Sequence, residues 1–345
     1  MELTLMILGL GLAIYIAWCI GTNDAANPTQ YAVGSGAIHL RRALILFTIF
    51  TALGALLQGW MVMKTFGRGV AEIRDIHDAL AATIATGIWV TIASFYGIPI
   101  STTHSSVGSV LGVGLSYLLL EGSMSINLSV IYKIIISWIA SPLGAMLLAI
   151  ILYKLFAKLY VNLRRKGLDA DKIFKYIVIG GLAYSAYSFG ANDVGNATGV
   201  YIAVIKVGGV EIGEVNLLTA LLLAALGSLG IVIGGFTVGP RVIATVAFKI
   251  TRLDLVSGAA VGLANASIVW LFTTIPHMLY GFGMPISTTH ASVSAVIGIG
   301  LLRGGLKGIN ISVVLKILTS WLITVPLAAA LALSLRVLTH SIFNV

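Results

Sequence analysis

The chain has 345 residues, 58% of them hydrophobic and 10% charged, and a mean hydropathy of +1.03. A soluble domain carries about 25% charged residues, so this composition excludes a water-surrounded fold and makes the lipid bilayer the solvent for most of the chain. The net charge of +9 does not imply a nucleic-acid partner. The basic residues stand in short segments between apolar runs, as expected of cytoplasmic loops.

The first apolar run, 3–20, lacks a basic leader and a small-residue cleavage site, and is expected to remain as a membrane segment. It holds the lone cysteine, Cys19, so no intrachain disulfide can form. Further runs over 43–63, 79–98, 105–120, 126–157, 173–190, 215–239, 255–281, 287–302 and 309–338 predict an all-α polytopic membrane protein of roughly 10–12 membrane segments.

Gly21-Thr22-Asn23-Asp24-Ala25-Ala26-Asn27-Pro28 closes the first run, and Gly190-Ala191-Asn192-Asp193-Val194-Gly195-Asn196-Ala197 closes the sixth. An ionised carboxylate at membrane depth costs about 2.5 kcal/mol or more and needs a partner. The basic residues nearest in sequence belong to loops, which makes a bound cation the economical one. Asn and Asp oxygens are hard donors suited to an alkali cation. The cation ligands expected are thus Asn23, Asp24, Asn27, Asn192, Asp193 and Asn196, with Na⁺ at Asp24 and Asp193. Gly21 and Pro28 predict local unwinding that frees carbonyls. Either Asp could also cap a helix.

Pro99-Ile100-Ser101-Thr102-Thr103-His104 recurs unchanged as Pro285-Ile286-Ser287-Thr288-Thr289-His290. Proline disfavours helix in the residue before it, and Ser and Thr are good N-cap residues. Each copy predicts a re-entrant hairpin whose returning helix begins near the midplane, offering free N–H groups and positive potential to an anion. Ser101, Thr102, Thr103, Ser105, Ser287, Thr288, Thr289 and Ser292 are the expected anion contacts. His104 and His290 are expected just behind them. The small residues that follow have spacing suited to close helix packing.

Lys133, Ser137 and Trp138 return as Lys316, Ser320 and Trp321. Three motifs in one order establish an internal duplication, divided as 1–157, a connecting loop 158–175, and 176–345. Between residues 154 and 175 lie seven Lys/Arg against two acids, which predicts a cytoplasmic connection. Residues 64–78 balance Lys64, Arg68 and Arg74 against Glu72, Asp75 and Asp78, whereas Arg241, Lys249 and Arg252 face only Asp254, and Arg303 and Lys307 face no acid. That contrast predicts two inverted-topology repeats with both termini outside. Their broken helices and re-entrant hairpins would meet at a midplane site. Carboxylates beside an anion site repel the anion unless cations lie between, so the charge balance itself predicts cotransport.

These residues resemble the inorganic phosphate transporter (PiT) family. The resemblance rests on 21–27, 190–196 and both Pro-Ile-Ser-Thr-Thr-His stretches, and extends over nearly the whole chain. It implies a symporter importing inorganic phosphate across the cytoplasmic membrane with Na⁺ or H⁺, often as a homodimer, with no other cofactor. Asp24 and Asp193 would match the family's acids. Many members carry a Glu about where Thr51 stands here, which bears on the number of cation sites and on the coupling ion. A sulfate carrier of the same family, an anion channel and an intramembrane aspartyl hydrolase are the rival readings. The duplicated Ser-Thr-Thr turns serve no purpose in a hydrolase.

Overall fold

The computed structural model describes residues 2–205, 211–212 and 215–343. Residues 1, 344 and 345, on which the expected side of the termini also bears, lie outside the described residues, as does the side chain of Arg68. The first repeat comprises α1 (Glu2–Asp24), α2 (Ala26–Gly34), α3 (Leu40–Gln58), α4 (Trp60–Lys64), α5 (Ile76–Phe95), α6 (Thr102–Glu121) and α7 (Leu128–Arg165). The second comprises α8 (Ala170–Thr198), α9 (Leu217–Thr237), α10 (Gly239–Lys249), α11 (Leu255–Tyr280), α12 (Thr288–Gly304) and α13 (Ile311–Phe343). A π-helical turn over Thr65–Gly69 follows α4.

Among the described residues, eight helical spans are long and apolar enough to cross a bilayer. Two further helices, α8 with its polar motif and α12 with 17 residues, bring the long segments to the ten apolar runs of the sequence. The basic stretch 158–175 is not an extended loop. Helix α7 continues through Arg165 and α8 begins at Ala170, leaving only 166–169 as the connection. Asp169 caps α8 by accepting from Lys172 N at 2.9 Å, and the Arg164–Asp171 pair at 2.9 Å ties the two helix ends together.

The repeats are inverted. At the start of α13, Asn310 N donates to Ile250 O at 2.9 Å, just ahead of α11. Near its other end, Arg336 pairs with Asp78 of α5 at 2.6 Å. One helix therefore spans from the face where α11 begins to the face where α5 begins. Since α5 and α11 are equivalent elements, their repeats run in opposite directions. The 166–169 connection shares the α11 face, because Tyr160 and Asp171 line the same pocket as Leu253 and Asp254.

The halves also exchange partners. Helix α13 packs on α6 and α7 packs on α12, while α1 packs on α9 and α8 on α3. These crossings rely on glycine. A Cβ on Gly21 would lie 1.9 Å from Ile231 O, and one on Gly190 would lie 2.0 Å from Thr51 O. Small residues at crossings supply the close van der Waals packing that drives association in lipid. Helices α5 and α11 end at turns that start with left-handed glycines, Gly97 (φ 66°) and Gly281 (φ 77°), a conformation only glycine adopts without strain.

The Arg336–Asp78 pair is buried, at 4% and 0% side-chain exposure. Tyr117 Oη donates to Asp78 Oδ2 at 2.6 Å and Arg74 N donates to the same atom at 2.8 Å. Removing one partner of such a pair strands the other charge. Asp78→Ala is expected to destabilise the protein by about 3–5 kcal/mol, read as a lower thermal unfolding midpoint in detergent. Replacing both residues (Asp78→Leu with Arg336→Met) should recover much of that loss.

Candidate functional site

Both copies of the Asn-Asp motif and of the Pro-Ile-Ser-Thr-Thr-His motif converge at the centre of the bundle, and every one of their polar residues is at most 6% exposed. Each Pro-Ile-Ser-Thr-Thr-His stretch forms the predicted helix start. Ser101 Oγ accepts from His104 N at 3.1 Å and Ser287 Oγ accepts from His290 N at 3.1 Å, capping α6 and α12. No acceptor for Thr102 N, Thr103 N, Thr288 N or Thr289 N is found among the described residues. These first-turn groups face inward with the positive ends of both helix dipoles.

The hydroxyls do more than line an anion site. Thr102 Oγ1 donates a short hydrogen bond to Asp24 Oδ2. Thr289 Oγ1, from the opposite hairpin, lies 2.9 Å from Asp24 Oδ1 and also 2.9 Å from Ile100 O. It has one proton, so it serves one of the two at a time. Thr103 Oγ1 donates to Ile286 O at 2.8 Å. The hairpins are thereby locked tip to tip, each through a threonine of one and a carbonyl of the other. Asn27 Nδ2 donates to Thr288 Oγ1 at 3.0 Å and Thr289 Oγ1 at 3.1 Å. Asn196 Nδ2 donates to Thr103 Oγ1 at 3.0 Å and Asp193 Oδ1 at 2.7 Å. Thus each Asn-Asp motif reaches across to the hairpin of the other half.

Ser105 and Ser292 stand one turn behind. Ser105 Oγ donates to Ser101 O of its own helix at 3.1 Å, and Ser292 Oγ donates to Asn27 O at 2.9 Å. Both act on backbone. Asn23 likewise holds its hairpin: Nδ2 donates to Ser94 Oγ at 3.1 Å and Ile98 O at 2.9 Å, and Oδ1 accepts from Ile100 N at 3.1 Å. Asn192 repeats this with Thr273 Oγ1 at 2.8 Å and Met284 O at 3.0 Å. The leading Asn of each motif is therefore a hairpin anchor, although Asn192 Oδ1 remains without a donor.

Among the described residues, Asp193 Oδ2 and Asn196 Oδ1 are also buried without donors. Three unsatisfied acceptor oxygens on one stretch of α8 need either a hydrogen-bond donor or a cation, and hard oxygens suit Na⁺. In the first copy Pro28 has no N–H to offer Asp24 O, which interrupts the hydrogen-bond ladder between α1 and α2. Ala25 nevertheless keeps helical angles (φ −56°, ψ −20°), so the helix does not undergo the unwinding there that Gly21 and Pro28 predict. The second copy differs, since α8 runs unbroken from Ala170 to Thr198. With Ala197 where the first copy has Pro28, nothing interrupts its ladder.

The two histidines meet at the centre with ring centroids 4.4 Å apart. His104 packs on Trp138 at 3.8 Å and His290 on Trp321 at 3.6 Å. Trp138 Nε1 donates to Pro285 O at 3.4 Å, and Trp321 Nε1 donates to Pro99 O at 3.2 Å. The third sequence echo thus supplies the wall of the hairpin turns. Sequence reasoning did not single out Gln30, Ser94, Asn265 or Thr273 for the site. Gln30 Nε2 donates to Ser292 Oγ at 3.1 Å and Asn265 Nδ2 to Ser185 Oγ at 2.8 Å; a buried amide inside an apolar run was the available signal. Thr51 lies at the α3–α8 crossing, where its Oγ1 donates to Ala186 O at 3.2 Å.

A model described as the phosphate transporter family matches residues 20–332. The chain belongs to the phosphate transporter family. The transporter is 32% identical to a "Putative phosphate permease" of Pyrococcus furiosus, over 93% of each chain. It is 31% identical to one of the same description from Thermococcus kodakarensis, over 95% of each. A solved structure described as the sodium-dependent phosphate transporter superposes with a TM-score of 0.83 at 29% identity, covering 99% of this chain and 100% of the other. These relatives are described as permeases and a transporter, and the chain is a multi-pass membrane transporter rather than an enzyme.

Asn23→Ala removes at once the three hydrogen bonds by which Asn23 holds the first hairpin. Amide hydrogen exchange over 98–101 should quicken by about tenfold or more, since each lost hydrogen bond is worth about 1 kcal/mol. Exchange over 284–287, held by Asn192, should stay as in the wild type.

Proposed function

We propose that the transporter imports inorganic phosphate across the cytoplasmic membrane by Na⁺ symport. The observation that carries this reading is the contact between each Asn-Asp motif and the hairpin starts. Asp24 accepts a hydroxyl hydrogen bond from Thr102 of one hairpin and lies within hydrogen-bond reach of Thr289 Oγ1 of the other, at 2.9 Å. Two carboxylates in a low-dielectric centre repel an incoming anion strongly. Na⁺ at Asp24 and at Asp193, helped by Asn27, Asn192 and Asn196, would cancel that repulsion. The free N–H groups of Thr102, Thr103, Thr288 and Thr289 would then hold phosphate between two helix dipoles. Anion binding follows cation binding, and that order is the coupling.

The matching solved structure is described as sodium-dependent, which supports Na⁺ over H⁺. The charge pattern supports an orientation with the connection face in the cytoplasm and both termini outside, since Lys154, Lys158, Arg164, Arg165, Lys166, Lys172 and Lys175 all lie about that face. A homodimer is part of the same reading, on the family resemblance alone. Phosphate is favoured over sulfate because hydrogen phosphate keeps a proton that a carboxylate can accept.

Reconstituted protein should accumulate labelled phosphate uphill when an inward Na⁺ gradient is imposed and not when only a pH gradient is imposed. Accumulation driven by the pH gradient alone would replace Na⁺ by H⁺, and flux that only ever runs downhill would make the protein a channel. Asp24→Asn and Asp193→Asn should each reduce Na⁺-driven uptake by at least about a hundredfold, since each removes a counter-charge worth several kcal/mol at this depth. Excess sulfate should leave wild-type uptake unchanged.

A further inference from the structure

The duplication places Lys133 and Lys316 at matching positions on α7 and α13, yet their surroundings differ. Lys133 Nζ lies 4.2 Å above the Tyr280 ring and 5.7 Å from that of Phe282. Beside it the second hairpin turn is fastened down. Gly283 N donates to Met61 O at 2.7 Å, and Thr65 Oγ1 donates to Gly283 O at 2.7 Å. On the connection face the counterpart of Phe282 is Tyr96, which is 79% exposed. There a cavity of about 310 Å³ opens between the first hairpin turn, α10 and α13, lined by Tyr96, Ile98, Pro99, Lys249 and Lys316 among others.

Its inner wall is the back of the central site. The Ile98 carbonyl accepts from Asn23, next to Asp24, and the Pro99 carbonyl accepts from Trp321, which packs on His290. Lys249 also lines an adjoining cavity of about 660 Å³, together with Arg252, Arg303 and Lys307. Arg303 is occupied, since it pairs with Asp254 and donates to Arg252 O at 3.2 Å. Among the described residues, Lys249, Arg252, Lys307 and Lys316 have no carboxylate partner. Four uncompensated cations thus lead from the membrane face to the hairpin that the transported ion must pass.

We propose that Lys249 and Lys316, supplied by Arg252 and Lys307, form a relay site for a phosphate-type oxyanion between the connection face and the first hairpin turn. A concave cluster of one charge raises the local concentration of its counter-ion. It also suits the phosphate of an anionic lipid, since basic pockets between membrane helices hold such headgroups. Naming the free anion as phosphate rests on the proposed function. The site itself rests on the two cavities and their cations.

The test compares wild type with a neutral variant (Lys249→Gln, Arg252→Gln, Lys307→Gln and Lys316→Gln) and a charge-keeping one (Lys249→Arg, Lys307→Arg and Lys316→Arg). Phosphate exchange is measured in oriented proteoliposomes. With free phosphate as occupant, the neutral variant raises KM on the connection face by about tenfold and leaves the opposite face unchanged. The charge-keeping variant behaves as wild type, and high salt narrows the gap. With a lipid phosphate as occupant, KM is equal throughout. Native mass spectrometry from phosphatidylglycerol nanodiscs then shows the lipid retained by wild type and lost from the neutral variant. Either pattern supports the relay site and names its source. Equal KM together with equal lipid retention overturns it. Wild-type protein that moves no phosphate sinks the transport reading instead, and the lipid measurement still reports on the site.

Discussion

Asp24 and Asp193 are buried at the centre of a bundle whose surroundings are hydrocarbon, at 1% and 0% exposure. Much of the remaining architecture answers the problem they pose. Water cannot solvate them, and no lysine or arginine reaches them among the described contacts. What does reach Asp24 is a hydroxyl from each hairpin, and what reaches Asp193 is the amide of Asn196. Hydrogen bonds of this kind offset part of a carboxylate's desolvation, but they leave its charge in place. The oxygens beside Asp193 without a donor among the described residues show where that compensation is incomplete, and the proposed Na⁺ would complete it.

The inverted repeat makes this arrangement possible. One hairpin brings one helix N-terminus and one set of hydroxyls; a tetrahedral anion needs donors from several directions. Duplication with inversion supplies a second hairpin from the opposite face. The tip-to-tip bonds of Thr103 with Ile286 O and of Thr289 with Ile100 O set the distance between them. Partner exchange between α6 and α13, and between α12 and α7, means that movement of either hairpin is felt by the other half. The two lysine environments are where that symmetry is broken, covered by aromatic rings at Lys133 and open to a cavity at Lys316.

A good deal of this was legible in the residues. The duplicated Pro-Ile-Ser-Thr-Thr-His stretch announced both hairpins and a capped helix start in each, because capping is a local property of chain and side chain; which hydroxyl caps, Ser101 and Ser287, came from the structure. The interruption of the hydrogen-bond ladder at Asp24 could be read from Pro28 for the same reason. The roles of Asn23 and Asn192 could not, since an Asn gives no sign of whether its amide will meet an ion or a carbonyl about seventy residues away. Ser105 and Ser292 were placed in the site by proximity in sequence, whereas helix geometry turns them to backbone carbonyls. Arg336 lay within an apolar run, and its partner Asp78 in a segment read as loop. Only the packing of α13 against α5 brings them together. The extent of the 166–169 connection was hidden because basic residues are as content in a helix as in a loop.

In the proposed mechanism phosphate and Na⁺ share one site in which the cation makes room for the anion. Linkage requires the effect to be mutual: whatever factor Na⁺ adds to phosphate affinity, phosphate must add to Na⁺ affinity. Calorimetric titration of the purified transporter with phosphate, in sodium chloride and in choline chloride of equal ionic strength, measures this directly. The account predicts tight phosphate binding in sodium, binding weaker by at least about tenfold in choline, and an equal gain when sodium is titrated with phosphate present. Identical phosphate affinity in the two salts would contradict it.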